Sequence, residues 1–378
     1  MRTPRRSVWL LLFLAVGLAL PGLPPVAAAA PASTPAAPTA QRESTHFRVR
    51  YDPARLDARA VAAAVRAAEE GYARNARVFP VGRLPRQVTL DLTPSFLGAT
   101  GLARPEQYAI AIRVPDLEYL GLDLDYVMTH EIAHLFTHAE LVARGAPRQV
   151  VTGPWGEGVA DFATGGFGSI PLADWWGQAL RAGRLWSRPD WLVDGSARPA
   201  EADFVRQRTG TYAQAALFVR YLAQRAGAET FFRFYAEYAS AVARPRSGQP
   251  ARPDRAALDA LFVQHFGASG SELIAAWEQR LAAAQMPREA GARLALHEWI
   301  YGSLREFETQ YARAVRQGRA DEEAASAVRE AFRQANLSLR GNDLSSAAAH
   351  LARARSLAAP HHQPDPMTTA AYHRGGFP

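Results

Sequence analysis

Met128-Thr129-His130-Glu131-Ile132-Ala133-His134 is the stretch on which the reading of the chain turns. In an α-helix, residues four apart stand one above the other, separated by about 6 Å of rise. The imidazoles of His130 and His134 can therefore converge on one small cation. Glu131 is offset by about 100° around the axis. It lies beside such a cation rather than on it, placed to take a proton from an activated water. Ile132, Ala133, Leu135 and Phe136 surround these residues with apolar side chains, so the helix is expected to be buried. Buried His and Glu need partners, and a metal supplies one. Asp123 and Asp125 precede the helix, where carboxylates suit an N-terminus.

His-Glu-x-x-His is the spacing of zinc metallohydrolases. A catalytic zinc takes a third protein ligand and keeps a fourth position open. Pro154-Trp155-Gly156-Glu157-Gly158-Val159-Ala160-Asp161-Phe162 offers one. A helix starting near Pro154 puts Glu157 and Asp161 on one face, again four apart. Glu157 is the candidate ligand. Asp161 is the candidate partner for the distal N–H of a ligating His, fixing its tautomer. His138 is one turn beyond His134, but three ligands along one straight helix make poor zinc geometry, since His130 and His138 are about 12 Å apart in rise. His138 is read as a rim residue.

His130-Glu131-x-x-His134 followed by Trp155-x-Glu157-Gly158-x-Ala160-Asp161-Phe162 resembles the gluzincin metallopeptidases, and most of all their peptidase MA-like branch. The resemblance runs over about 44–281. It takes in Thr211-Tyr212-Ala213-Gln214-Ala215-Ala216-Leu217-Phe218, which is similar to the family's downstream helix, and Leu273-Ile274-Ala275-Ala276-Trp277. It implies a thermolysin-like zinc site with His130, His134 and Glu157 as ligands and Glu131 as general base. It also implies a Tyr or His on the downstream helix that stabilises the developing oxyanion. Tyr212 is the candidate, with a core tyrosine as the other reading. The chain departs from the family in a longer gap between His134 and Glu157. It also lacks the Gly-x-Met-x-Asn segment of the aminopeptidase branch, so an endopeptidase is expected rather than an exopeptidase.

The chain has 378 residues, a formal charge of +7 and no cysteine. Any metal site must therefore use His and carboxylate. All 43 basic residues besides His are Arg, and they are dispersed. The charge reads as compositional bias, and nucleic-acid binding is not expected. Arg2, Arg5 and Arg6 precede a short apolar run at 8–20 and a small-residue boundary at 27–30, the layout of a signal peptide over 1–30. Export to the periplasm or outside the cell follows. An uncleaved signal anchoring the chain in a membrane is the other reading.

The expected fold class is α+β: a thermolysin-like zincin core of small sheet plus active-site helix, a mainly helical lobe, and a C-terminal helical appendage. Residues 31–43 read as a Pro/Ala-rich linker, 44–285 as the metallopeptidase domain, 286–359 as a separate helical region and 360–378 as a disordered tail. Within the domain, 44–170 form the sheet-plus-helix zinc lobe and 171–285 the helical lobe. Alternation predicts strands at 46–51, 87–92 and 107–114, and an Ala-rich amphipathic helix spans 57–78. If the 107–114 strand is an edge beside the cleft, it can bind an extended peptide by strand addition. Phe204, Tyr212, Phe218, Tyr221, Phe231, Phe234, Tyr235 and Tyr238 are expected to supply aromatic core faces.

The expected activity is hydrolysis of peptide bonds by water activated on one Zn2+ per chain, with a peptide or protein as substrate. Two other readings stay open: a non-catalytic exported scaffold with the same fold, and a metallohydrolase of cell-wall amide bonds. The sequence does not fix the oligomeric state.

Overall fold

In the computed structural model the residues described are 40–92, 101–114, 124–147, 153–167, 170–194, 210–242 and 254–359. The expected signal peptide, most of the linker, Asp123, Phe204 and the C-terminal tail lie outside them. The described residues belong to one compact unit, Pro38–Pro378.

The chain enters through β1 (Ala40–Glu43) and β2 (Phe47–Tyr51), an antiparallel pair with Glu43 opposite Arg48. The linker expectation for 40–43 is thus corrected: this polar segment is a strand at the sheet edge. Glu69 ties down the turn between the strands. Its Oε1 accepts from Ser44 Oγ at 2.7 Å and from the His46 amide at 2.9 Å. Helix α1 (Ala58–Val78) follows, capped by Asp57, whose side chain accepts from the Ala60 amide. Val61, Ala64, Ala68, Tyr72 and Asn75 form its buried stripe at helical spacing.

β3 (Val88–Asp91), β4 (Gly101–Arg104), a short 3-10 turn at Pro105–Gln107 and β5 (Ala109–Ile112) complete a mixed five-stranded sheet in the order β1-β2-β3-β5-β4. β2, β3 and β5 run parallel, and β4 pairs antiparallel with β5. The expected strand at 107–114 is therefore interior, and the edge on its side of the sheet is β4. Burial explains the order. Ile110, Ala111 and Ile112 of β5 are all buried, whereas Leu102 and Arg104 of β4 are exposed.

β5 leads toward α2 (Leu124–Ala143), the helix that carries His130 and His134. It is apolar nearly all round, as a helix buried between layers must be. α1 packs along it, and Gly71 makes the approach close: a Cβ there would lie 3.2 Å from the Thr129 Cα. Asn75 Nδ2 donates to the Thr129 carbonyl across the same contact.

α3 (Pro154–Thr164) has Pro at its first position and ends at Gly165, whose φ of 77° gives the left-handed cap. A two-stranded ribbon follows, β6 (Gly166–Phe167) with β7 (Ile170–Pro171). The rest is helical: α4 (Trp176–Ala182), α5 (Thr211–Ala226), α6 (Ala228–Val242), α7 (Arg255–Phe266) and α8 (Gly270–Ala283). Trp155 of α3 packs among Phe218, Phe234, Tyr235 and Tyr238, so the expected aromatic core forms around it. Its Nε1–H donates to the Leu192 carbonyl.

The C-terminal helices are α9 (Arg288–Arg316), α10 (Glu322–Arg340) and α11 (Leu344–Ala358). α10 and α11 meet at a turn in which Asn342, not Gly341, takes the left-handed conformation, and Asp343 caps α11. These helices enclose a second core that includes Leu304, Phe307, Val328, Phe332 and Leu351. α9 nevertheless belongs to both cores. Leu294 is part of the main one, Trp299 and Tyr301 pack against it, and Trp299 Nε1–H donates to the Gly183 carbonyl. Residue 286 does not separate two independent bodies. Among the described residues no helix is long and apolar enough to cross a membrane.

Candidate metal centre

α2 sets the two imidazoles one turn apart. Their ring centroids are 4.9 Å from each other and their planes stand at 84°. α3 crosses α2 on the side of these rings. Its close packing against α5 depends on Gly158, where any Cβ would overlap that of Ala215. With Gly158 turned to α5, Glu157 sits in the first turn of α3, where the helix dipole favours a carboxylate.

Glu157 Oε2 lies 3.1 Å from His130 Nε2 and 3.6 Å from His134 Nε2. One ligand atom from each of His130, His134 and Glu157 falls within 4.8 Å of the others. A tetrahedral ion with bonds of about 2.1 Å needs its ligand atoms about 3.4 Å apart. The donor set fits: two neutral-capable imidazole nitrogens and one carboxylate oxygen, converging at nearly that spacing. The side chains of His130, His134 and Glu157 keep 13%, 20% and 29% of their exposure, so the group is only partly covered by the protein.

Asp161, one turn after Glu157, is buried and its Oδ1 lies 2.8 Å from His130 Nδ1. An ionised carboxylate only accepts, so His130 Nδ1–H donates and Nε2 is the atom turned to Glu157. Tyr126 Oη donates to the same Oδ1, also at 2.8 Å.

Burial opposes a charged imidazole at His130. The hydrogen bond and charge of Asp161, followed by those of Glu157, outweigh it and hold the His130 pKa well above its usual value. Burial likewise opposes ionisation of Glu157, but the charges and hydrogen bonds of His134 and His130 hold its pKa well below the usual carboxylate range. At Tyr126 burial, then the charge of Asp161, pushes the phenol well up, so it remains a donor. In the ion-free protein, a proton on His130 supplies the positive charge that two carboxylates demand.

Glu131 is buried and stands outside the converging group. Its carboxylate packs under Gly101 of β4. Tyr212 lies half-buried in the first turn of α5, three residues before the contact at Ala215. His138 meets the ring of Tyr108 at 6.0 Å between centroids and lies outside the group as well. Two residues here escape a motif reading. Tyr126 precedes His130 by one turn, a spacing that could have pointed to it. Gly101 carries no side chain, and only its pairing in the sheet brings it to Glu131. Compared with known protein families, with curated proteins and with solved structures, the chain finds no match.

Proposed function

We propose that this protein is a zinc-dependent metallopeptidase with a thermolysin-like core, acting on peptide or protein substrates as an endopeptidase. The observation that carries the reading is the convergence of His130 Nε2, His134 Nε2 and Glu157 Oε2, with Glu131 on the same helix but outside that group. Zinc is the ion that suits two imidazoles, one carboxylate and an open position. Bound there, it would supply a Lewis acid and lower the pKa of water from about 15.7 toward 7.

The chain's own residues account for the rest of the chemistry. Glu131 takes the proton from the attacking water on a carboxylate oxygen and hands it to the leaving amide nitrogen. Asp161 holds the proton on His130 Nδ1, which keeps Nε2 free as a donor atom. β4 is one of the two antiparallel edge strands of the sheet and touches Glu131 through Gly101. An extended substrate laid along that edge by strand addition brings its backbone to the base. Tyr212 is the proposed oxyanion donor, on the helix that packs against α3. Export by the N-terminal segment completes the proposal.

The test compares wild type with Glu131→Gln for zinc content and for hydrolysis of an unbiased peptide library. Zinc should stay with both proteins, while turnover falls by about 10²–10⁴-fold in the variant. A wild type that holds zinc and cleaves neither peptides nor cell-wall fragments would favour a scaffold.

A further inference from the structure

Tyr126 and His130 lie one turn apart on α2, and both reach across to one atom of α3. Tyr126 Oη and His130 Nδ1 are each 2.8 Å from Asp161 Oδ1. The two rings on α2 face each other obliquely, with centroids 5.8 Å apart and planes at 43°. The Asp161 side chain keeps only 6% of its exposure, so water does not compete freely for it.

A carboxylate turns easily about its last bond, because torsions between tetrahedral and planar carbon are broad and roughly two-fold. A single hydrogen bond from His130 would let the Asp161 plane swing and take the imidazole with it. A second donor on the same oxygen, fixed to the same helix, removes that freedom. The phenol does this without competing for the metal, since on α2 it stands one turn before His130 and about two turns before His134. Behind it, Tyr301 packs against the main core, and Tyr301 and Glu298 of α9 act electrostatically on the Tyr126 hydroxyl. The C-terminal region therefore reaches the neighbourhood of the metal-binding residues.

We infer that Tyr126 is a positioning residue for the metal centre: by donating to Asp161 Oδ1 it locks the carboxylate that orients His130. The inference rests on the metal-site reading and extends it by one partner.

The test is a double-mutant cycle on zinc affinity, measured by chelator competition at fixed pH. Tyr126→Phe keeps the ring and removes the donor. It should weaken zinc binding by about tenfold or more, within the range of outer-partner changes at metal sites. Asp161→Ala should weaken it further, and the Tyr126→Phe/Asp161→Ala double variant should bind no more weakly than Asp161→Ala alone. Two losses that multiply would overturn the inference, because Tyr126 would then act independently of Asp161. Unchanged affinity in Tyr126→Phe would overturn it too. Thermal melting of each variant separates lost folding from lost positioning.

A second measurement needs no metal. In the ion-free protein, the His130 Nδ1–H resonance should exchange with solvent several-fold faster in Tyr126→Phe than in wild type. If wild type binds no zinc, the metal-site reading fails while this exchange rate still judges the hydrogen-bonded chain. An unchanged rate, or a wild-type His130 carrying its proton only on Nε2, rejects the role of Tyr126.

Discussion

Gly101 covers Glu131: a Cβ built on Gly101 would stand 2.5 Å from Glu131 Oε1 and 2.7 Å from its Cδ. The edge strand and the proposed base are therefore in direct contact, and the strand can carry nothing larger than hydrogen at that point.

Gly101→Ala should accordingly displace the Glu131 carboxylate while leaving the metal ligands alone. The expected result is full zinc content with kcat/KM lowered by about 10²-fold, the lower end of what loss of a general base costs. Parallel elemental analysis and peptide hydrolysis check it. An active Gly101→Ala protein would mean that Glu131 does not need its present position.

Glu157→Gln should act on binding rather than on turnover of the loaded protein. It removes the one charged ligand, so zinc affinity falls, whereas Glu131→Gln retains the ion. His130→Ala and His134→Ala together should abolish stoichiometric zinc. Chelator competition on these variants ranks them. Full zinc retention in the double His variant would dismiss the site.

Zinc binding should strengthen as pH rises. The His130 pKa is held well above its usual value by Asp161 and Glu157 against the opposing effect of burial, and that proton must leave before Nε2 can ligate. Affinity should drop by about tenfold per pH unit below the raised pKa, the cost of displacing one proton. The contribution of His130 to the stability of the metal-free protein runs the other way. The contribution of charged His130 is complete below its unfolded value of about 6.5 and is lost as pH rises through the folded one. The Glu157 pKa is depressed, so its contribution is present above an unfolded value of about 4.3 and is lost as pH falls through the folded value. The thermal shift produced by added zinc should thus grow from mildly acidic to alkaline pH. A shift that is flat with pH would contradict this.

Truncation after residue 286 should destabilise the remainder. Leu294 and Trp299 leave the main core with α9, and the Gly183 carbonyl loses its donor. Each large apolar side chain removed from a core costs about 2–5 kcal/mol. At about 2–4 °C per kcal/mol, the melting temperature falls by at least about 10 °C. Calorimetry of the 38–286 fragment beside a protein ending at 359 decides it. Equal melting temperatures would restore the two-body view.

Spacing along helices was the legible part of the chain. His130 with His134, and Glu157 with Asp161, could be paired on paper because four residues make one turn whatever surrounds them. α1 was equally open, with Asp57 before an Ala-rich amphipathic run. β1 and β4 were not. Ala40-Gln41-Arg42-Glu43 and Gly101-Leu102-Ala103-Arg104 have little strand propensity of their own, and they are strands because β2 and β5 offer unpaired edges. The expected separate helical region at 286–359 hides a shared helix, whose apolar face holds Leu294, Trp299, Leu304 and Phe307. It is divided, with Leu294 in the main core, Leu304 and Phe307 in the second, and Trp299 touching both. Tyr126 was hidden for the opposite reason: in an apolar helix a tyrosine reads as filling, and its hydroxyl finds Asp161 only once α3 has docked.

β4 is four residues long, about 13 Å of extended chain at about 3.3 Å per residue. Antiparallel pairing alternates bonded and non-bonded partners, so a ledge of this length can grip the backbone of a bound strand at only about two positions. A substrate held so briefly gains little from its main chain and slides easily out of register. Choosing the cut site then falls to the few side chains nearest the scissile bond. The protein is therefore expected to show a shallow affinity for peptides of any length and a sharp preference at one or two positions.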